Sequence, residues 1–162
     1  MKRAIISLIA VLPLTSAGTP RAPCLWHIPV RLDVYEMAEV VTGAPSRILR
    51  GIARTESDED DLARGDDGVS VGRFQLNERF HRERAARYGE YNPFDPLEAA
   101  RIAGCLYVDN LRELSLASHV ADPDTWAGRR RDFAIAAHRQ GCRGVRRNGP
   151  CPRYVYRVGS GG

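Results

Sequence analysis

R-I-L-R-G-I-A-R-T-E-S, residues 47–57, followed by G-D-D-G-V-S-V-G-R-F-Q-L-N, residues 65–77, joins a helical pattern to a turn-rich extended one. In the first part Ile48, Ile52 and Glu56 stand four apart and share one helix face, which Leu49 and Ala53 widen. The apolar stripe that docks this helix therefore also aims the carboxylate of Glu56 inward. An unpaired charge there costs roughly several kcal/mol. The negative end of the helix dipole and the run Asp58, Glu59, Asp60, Asp61 also disfavour its charged form, which is the setting of a general acid. Arg54, two positions away, points elsewhere. The plain alternative is a glutamate that ends an amphipathic helix in water. The second part is too rich in glycine and β-branched residues for a helix. Asp66, Asp67 and Gly68 predict a turn, and Val69, Val71 and Phe74 predict short extended pieces. Gly72 permits a close backbone approach, and the amide of Gln75 can donate and accept. A surface hairpin with no ligand is the competing reading.

Outward from this stretch, apolar spacing predicts a helix over residues 31–42, stopped by Gly43, with Ala44-Pro45-Ser46 opening the next. A short arginine-rich helix is expected over residues 78–88. Asp95, Pro96 and Glu98 read as a capping box that starts a core helix reaching about Leu114. A last helix is expected from Asp122-Pro123 or Asp124, through Trp126, Phe133, Ile135, Ala136 and Ala137, and closed by Gly141. Beyond it, Arg143, Arg146, Arg147, Arg153 and Arg157 surround Tyr154 and Tyr156. Basic residues interleaved with aromatics suit nucleic acid, but an exported chain rarely meets it, so a solvated tail is the expectation.

The chain has 162 residues, the size of one domain, and 43% of them are hydrophobic, enough for a core. Its 23 arginines stand against one lysine, Lys2, a bias that reads as composition and not as function. The start, M-K-R and then an uncharged run A-I-I-S-L-I-A-V-L-P-L, reads as a signal peptide over residues 1–17. The run is too short to span a bilayer. Residues 18–30, rich in proline, read as an extended lead-in, and Arg21-Ala22-Pro23 before Cys24 lacks the pattern of a lipid anchor. The expectation is an exported protein, periplasmic or extracellular, with no membrane anchor after cleavage.

Export also favours disulfides over metal binding for Cys24, Cys105, Cys142 and Cys151. No cysteine pair has metal-ligand spacing, so no metal or cofactor is expected. Four cysteines allow three pairings. The favoured one joins Cys142 to Cys151 across an arginine loop and leaves Cys24 to fix the N-terminal segment to the helix of Cys105.

T-G-A-P-S-R-I-L-R-G-I-A-R-T-E-S, residues 42–57, resembles the entry helix and Glu-Ser signature of the soluble lytic transglycosylase family. G-R-F-Q-L-N, residues 72–77, is similar to that family's Gly-Leu-Met-Gln motif, and A-A-H-R-Q-G, residues 136–141, to its Ala-Tyr-Asn-Ala-Gly motif. The resemblance spans about residues 34–141, in the family's order. It implies a mainly α, lysozyme-like fold: a helical bundle around a core helix, with a small β-hairpin beside a peptidoglycan cleft. The domain would cover residues 31–141, and residues 142–162 would form a basic, disulfide-clipped tail.

Carried over, the resemblance makes Glu56 the catalytic acid/base. Ser57 would orient it or the sugar's N-acetyl group, Gln75 would line the cleft and Gly72 would shape the turn before it. His138 stands where the family has a tyrosine near the glutamate, Arg139 replaces an asparagine, and Arg73 and Phe74 replace leucine and methionine. The implied reaction cleaves the MurNAc–GlcNAc bond of peptidoglycan and leaves 1,6-anhydro ends. Residues 65–77 also resemble goose-type lysozyme, where Asp66 and position 77 would be carboxylates that activate water; position 77 is Asn77. A third reading is a non-catalytic wall-binding or secretion-apparatus component. The expected partner is the glycan strand, with a secretion or envelope assembly as a further one, for a protein acting as a monomer and without nucleic acid.

Overall fold

In the computed structural model, residues 32–117 and 130–160 are described. The signal peptide, the lead-in, Cys24, Trp126 and the helix start expected at Asp122–Asp124 lie outside them. The unit that contains the described residues runs from Arg31 to Gly162. Its described residues are mainly helical and carry one small three-stranded antiparallel sheet.

Helix α1, Val34–Thr42, begins at Asp33, whose carboxylate accepts from the backbone N–H groups of Tyr35 and Glu36 while Glu36 returns the bond to Asp33. Gly43, in the left-handed region, ends it as expected. Helix α2, Ser46–Ser57, buries Ile48, Leu49, Ile52 and Ala53 of the face read from the sequence, and Gly51 beside them. Strands β1 (Arg64–Gly65), β2 (Ser70–Val71) and β3 (Leu76–Asn77) pair in that order, with Arg64 opposite Val71 and Ser70 opposite Asn77. Asp66, Asp67 and Gly68 make the first turn, as expected. Phe74 belongs to no strand; it sits in the second turn and is fully buried, so core packing outweighs its strand propensity.

Helix α3, His81–Tyr88, follows a single 3-10 turn, and α4, Pro96–Ala117, runs past the expected end at Leu114. Asp95 caps α4 by accepting from Leu97 and Glu98. Glu98 does not close the predicted capping box. Its carboxylate turns instead to the backbone N–H of Asn92, while the N–H of Asp95 is taken by the Asn92 carbonyl.

Helix α5, Arg130–Asn148, corrects one expectation and α6, Pro152–Ser160, another. Gly141 does not close α5. It kinks the helix at φ 67° and ψ 159°, and the helix then resumes to Asn148. The segment read as a solvated tail is α6, a packed helix with Tyr154 and Val158 buried. The disulfide clip is corrected as well. Cys105, Cys142 and Cys151 are free thiols, and Cys142 Sγ lies 3.2 Å from Asn110 Oδ1. Burial, followed by the nearby Glu113, pushes the Cys142 thiol up to about 11, so it stays protonated at neutral pH.

The core lies where α1, α2 and α4 meet α5 and α6, around Ile48, Ile52, Phe74, Ile102, Ile135 and Val158. The closest approach is at Gly51. A Cβ there would stand 2.1 Å from the carbonyl oxygen of Val158, so only glycine lets α6 lie against α2 at this distance.

Candidate active site

Glu56, on the last turn of α2, is half-buried. Tyr154, from α6, donates its hydroxyl to Glu56 Oε1 at 2.6 Å across 98 residues of chain. Gly51 meets Val158 and Glu56 meets Tyr154, so α2 and α6 run antiparallel and the glycine contact sets the depth at which the tyrosine arrives. Burial, and then the adjacent Glu56 carboxylate, push the Tyr154 hydroxyl far above the usual tyrosine range. It therefore remains protonated and serves as donor, leaving Glu56 Oε2 as the second oxygen of the carboxylate.

The acidic run after Glu56 is not aimed at it, contrary to the expectation of like-charge crowding. Asp58, at φ 56°, is the helix cap. Glu59 accepts from Tyr35 at 2.7 Å and from Arg54 at 2.8 Å, and Asp61 holds Arg73 through two nitrogens. Arg73 also donates to the Tyr35 hydroxyl at 2.8 Å. The chain Arg54–Glu59–Tyr35–Arg73–Asp61 thus ties α1, the end of α2 and the hairpin together. Asp61 is the leading cause that raises the Arg73 guanidinium above its ordinary value. Here lies the physical reason for an arginine in a motif whose resemblance calls for leucine.

The remaining predicted residues converge on one turn, residues 72–75, that closes β2 onto β3. Ser57 Oγ donates to the Arg73 carbonyl at 2.9 Å, and the amide of Gln75 donates to the Gly72 carbonyl at 3.0 Å. His138 Nε2 lies 2.9 Å from the Phe74 carbonyl oxygen, an acceptor only, so this nitrogen carries the proton and donates. Gly72 adopts φ 70°, and a Cβ on it would stand 2.1 Å from the Pro93 carbonyl oxygen. Gln75 itself takes φ 46°, an uncommon conformation for a residue with a side chain. The turn is therefore clamped from three sides: by α2 through Ser57, by α5 through His138, and by its own amide. Gln75 was expected to line the cleft, Gly72 to shape the turn and Ser57 to orient Glu56 or the sugar; in the structure Ser57, Gln75 and His138 each make a hydrogen bond that positions the turn beside the end of α2.

Asp66 accepts from Ser70 Oγ at 2.7 Å, a bond internal to the hairpin, and Asn77 caps the next turn by accepting from the Arg79 N–H. The described residues contain no group of three or more His, Cys, Asp and Glu side chains that could hold a metal ion.

Compared with known proteins, the chain matches no family model and no curated sequence.

Sequence reading missed Tyr154. Its signal was present in P-R-Y-V-Y-R-V, residues 152–158, where Tyr154 and Val158 stand four apart behind a proline suited to the first helical position. Arg153, Tyr156 and Arg157 on the exposed face obscured it.

Proposed function

We propose that the protein is a peptidoglycan lytic transglycosylase with a lysozyme-like arrangement, in which Glu56 is the only catalytic carboxylate. The observation that carries the reading is the hydrogen bond from Tyr154 to Glu56. It holds one carboxylate at a helix end in a fixed orientation, next to a turn clamped by Ser57 and His138. These are the three sequence stretches on which the family resemblance rests.

In this reading Glu56, protonated, delivers its proton to the glycosidic oxygen between MurNAc and GlcNAc as the bond to the MurNAc C1 breaks. The substrate's own acetamido oxygen bonds to C1 and takes up the positive charge, so no protein nucleophile is needed. The carboxylate of Glu56 then removes the proton of the C6 hydroxyl, whose oxygen displaces the acetamido oxygen and closes the 1,6-anhydro ring. The proton gained in the second step restores the acid, and no water is consumed. Tyr154 steadies the carboxylate through both steps. Asn77 lacks the charge that a water-activating partner for Asp66 would need, and this favours the ring closure over hydrolysis.

The test is turbidity loss of purified peptidoglycan on incubation with the protein. Wild type is expected to clear it and Glu56→Gln to leave it intact; equal clearing by both removes Glu56 from the reaction.

A further inference from the structure

Beside the Glu56–Tyr154 pair is a cavity of about 610 Å³ that the reaction above does not use. It lies between the last part of α5 and the start of α6, lined by Arg139, Gln140, Asn148, Arg153, Tyr154 and Arg157 among others. Tyr154 is the shared wall: its ring lies 5.7 Å under the Arg139 guanidinium and its hydroxyl reaches Glu56. Among the described residues, Arg139, Arg153 and Arg157 form no ion pair with a carboxylate, and no acidic side chain lines the cavity. The N-terminal end of α6 adds partial positive charge to the same wall. Guanidinium groups bind carboxylates through two parallel N–H donors, and the amides of Asn148 and Gln140 suit a peptide backbone.

We propose that this cavity binds the carboxylates of a peptide stem attached to the glycan strand. The inference rests on the transglycosylase reading for the identity of the anion. In peptidoglycan the stem hangs from the lactyl group of MurNAc, the sugar whose bond would be cut, and Tyr154, which lines the cavity and hydrogen-bonds Glu56, puts the cavity next to the carboxylate that would cut it. The three exposed arginines would then select strands that keep their peptides over strands that have lost them. The interaction is solvent-facing and weakens with salt.

The experiment titrates the full chain with the free stem tripeptide L-Ala-γ-D-Glu-meso-diaminopimelate by calorimetry, and separately with inorganic phosphate. The tripeptide is expected to bind wild type and to bind the Arg153→Ala/Arg157→Ala variant at least tenfold more weakly, at unchanged melting temperature. Equal affinity in the two proteins overturns the proposal, and so does the absence of tripeptide binding, whether or not phosphate binds. Because the probe contains no glycosidic bond, this result is independent of whether Glu56 cleaves glycan.

Discussion

The Tyr154 hydroxyl and Glu56 Oε1 lie 2.6 Å apart, and this bond joins the last helix of the chain to the one carboxylate at the end of α2. A hydrogen bond to a charged group contributes roughly 1.5–3 kcal/mol. Tyr154→Phe keeps the buried ring and removes the donor. It is expected to lower the rate of peptidoglycan clearing about 10- to 100-fold with the fold retained. Clearing rate together with far-ultraviolet circular dichroism checks this.

Gly51 decides where that tyrosine arrives. Gly51→Ala puts a methyl group 2.1 Å from the Val158 carbonyl oxygen, a backbone atom that moves only with α6. The expected outcome is a loss of about 1–3 kcal/mol of stability, measured by urea unfolding. Activity should fall by more than stability accounts for, since α6 carries Tyr154 away from Glu56.

Arg73 joins Asp61 and Tyr35 beneath the hairpin. Arg73→Leu, the residue that the family motif calls for, leaves Asp61 and the Tyr35 hydroxyl without that donor. A destabilisation of about 1–3 kcal/mol is expected from the orphaned polar groups. The double change Arg73→Leu/Asp61→Leu is expected to recover part of it, which a double-mutant cycle reads directly.

Glu59 gives the acid limb of stability. Burial pushes its carboxyl up, but the hydrogen bonds from Tyr35 and Arg54 outweigh this and hold it below the ordinary value of 4.5. A carboxyl depressed on folding contributes stability above its unfolded value, and the contribution is lost as pH falls through the lower folded value. Melting temperature should therefore drop as pH is lowered below about 4.5 in wild type, with a shallower drop in Glu59→Gln.

The frame of the site was legible in the sequence because its signals are local. Ile48, Ile52 and Glu56 declare one helix face; Gly43 and Asp95 mark ends; Asp66, Asp67 and Gly68 mark a turn. What escaped was set by partners far along the chain. No local pattern pairs Tyr154 with Glu56, or His138 with the Phe74 carbonyl. Gly141 was read as a helix stop yet only kinks the helix, and nothing local to Gly51 announces the Val158 carbonyl against it. The cysteines were read from an export signal, and three of them are free thiols.

Mass spectrometry of the muropeptides that the wild-type protein releases from peptidoglycan reads whether Glu56 acts alone and recovers its proton from the substrate's own hydroxyl. Products one water lighter than hydrolysis products, with 1,6-anhydroMurNAc ends, are expected from the wild type and none from Glu56→Gln. Reducing MurNAc ends, or the same products from the variant, would contradict this.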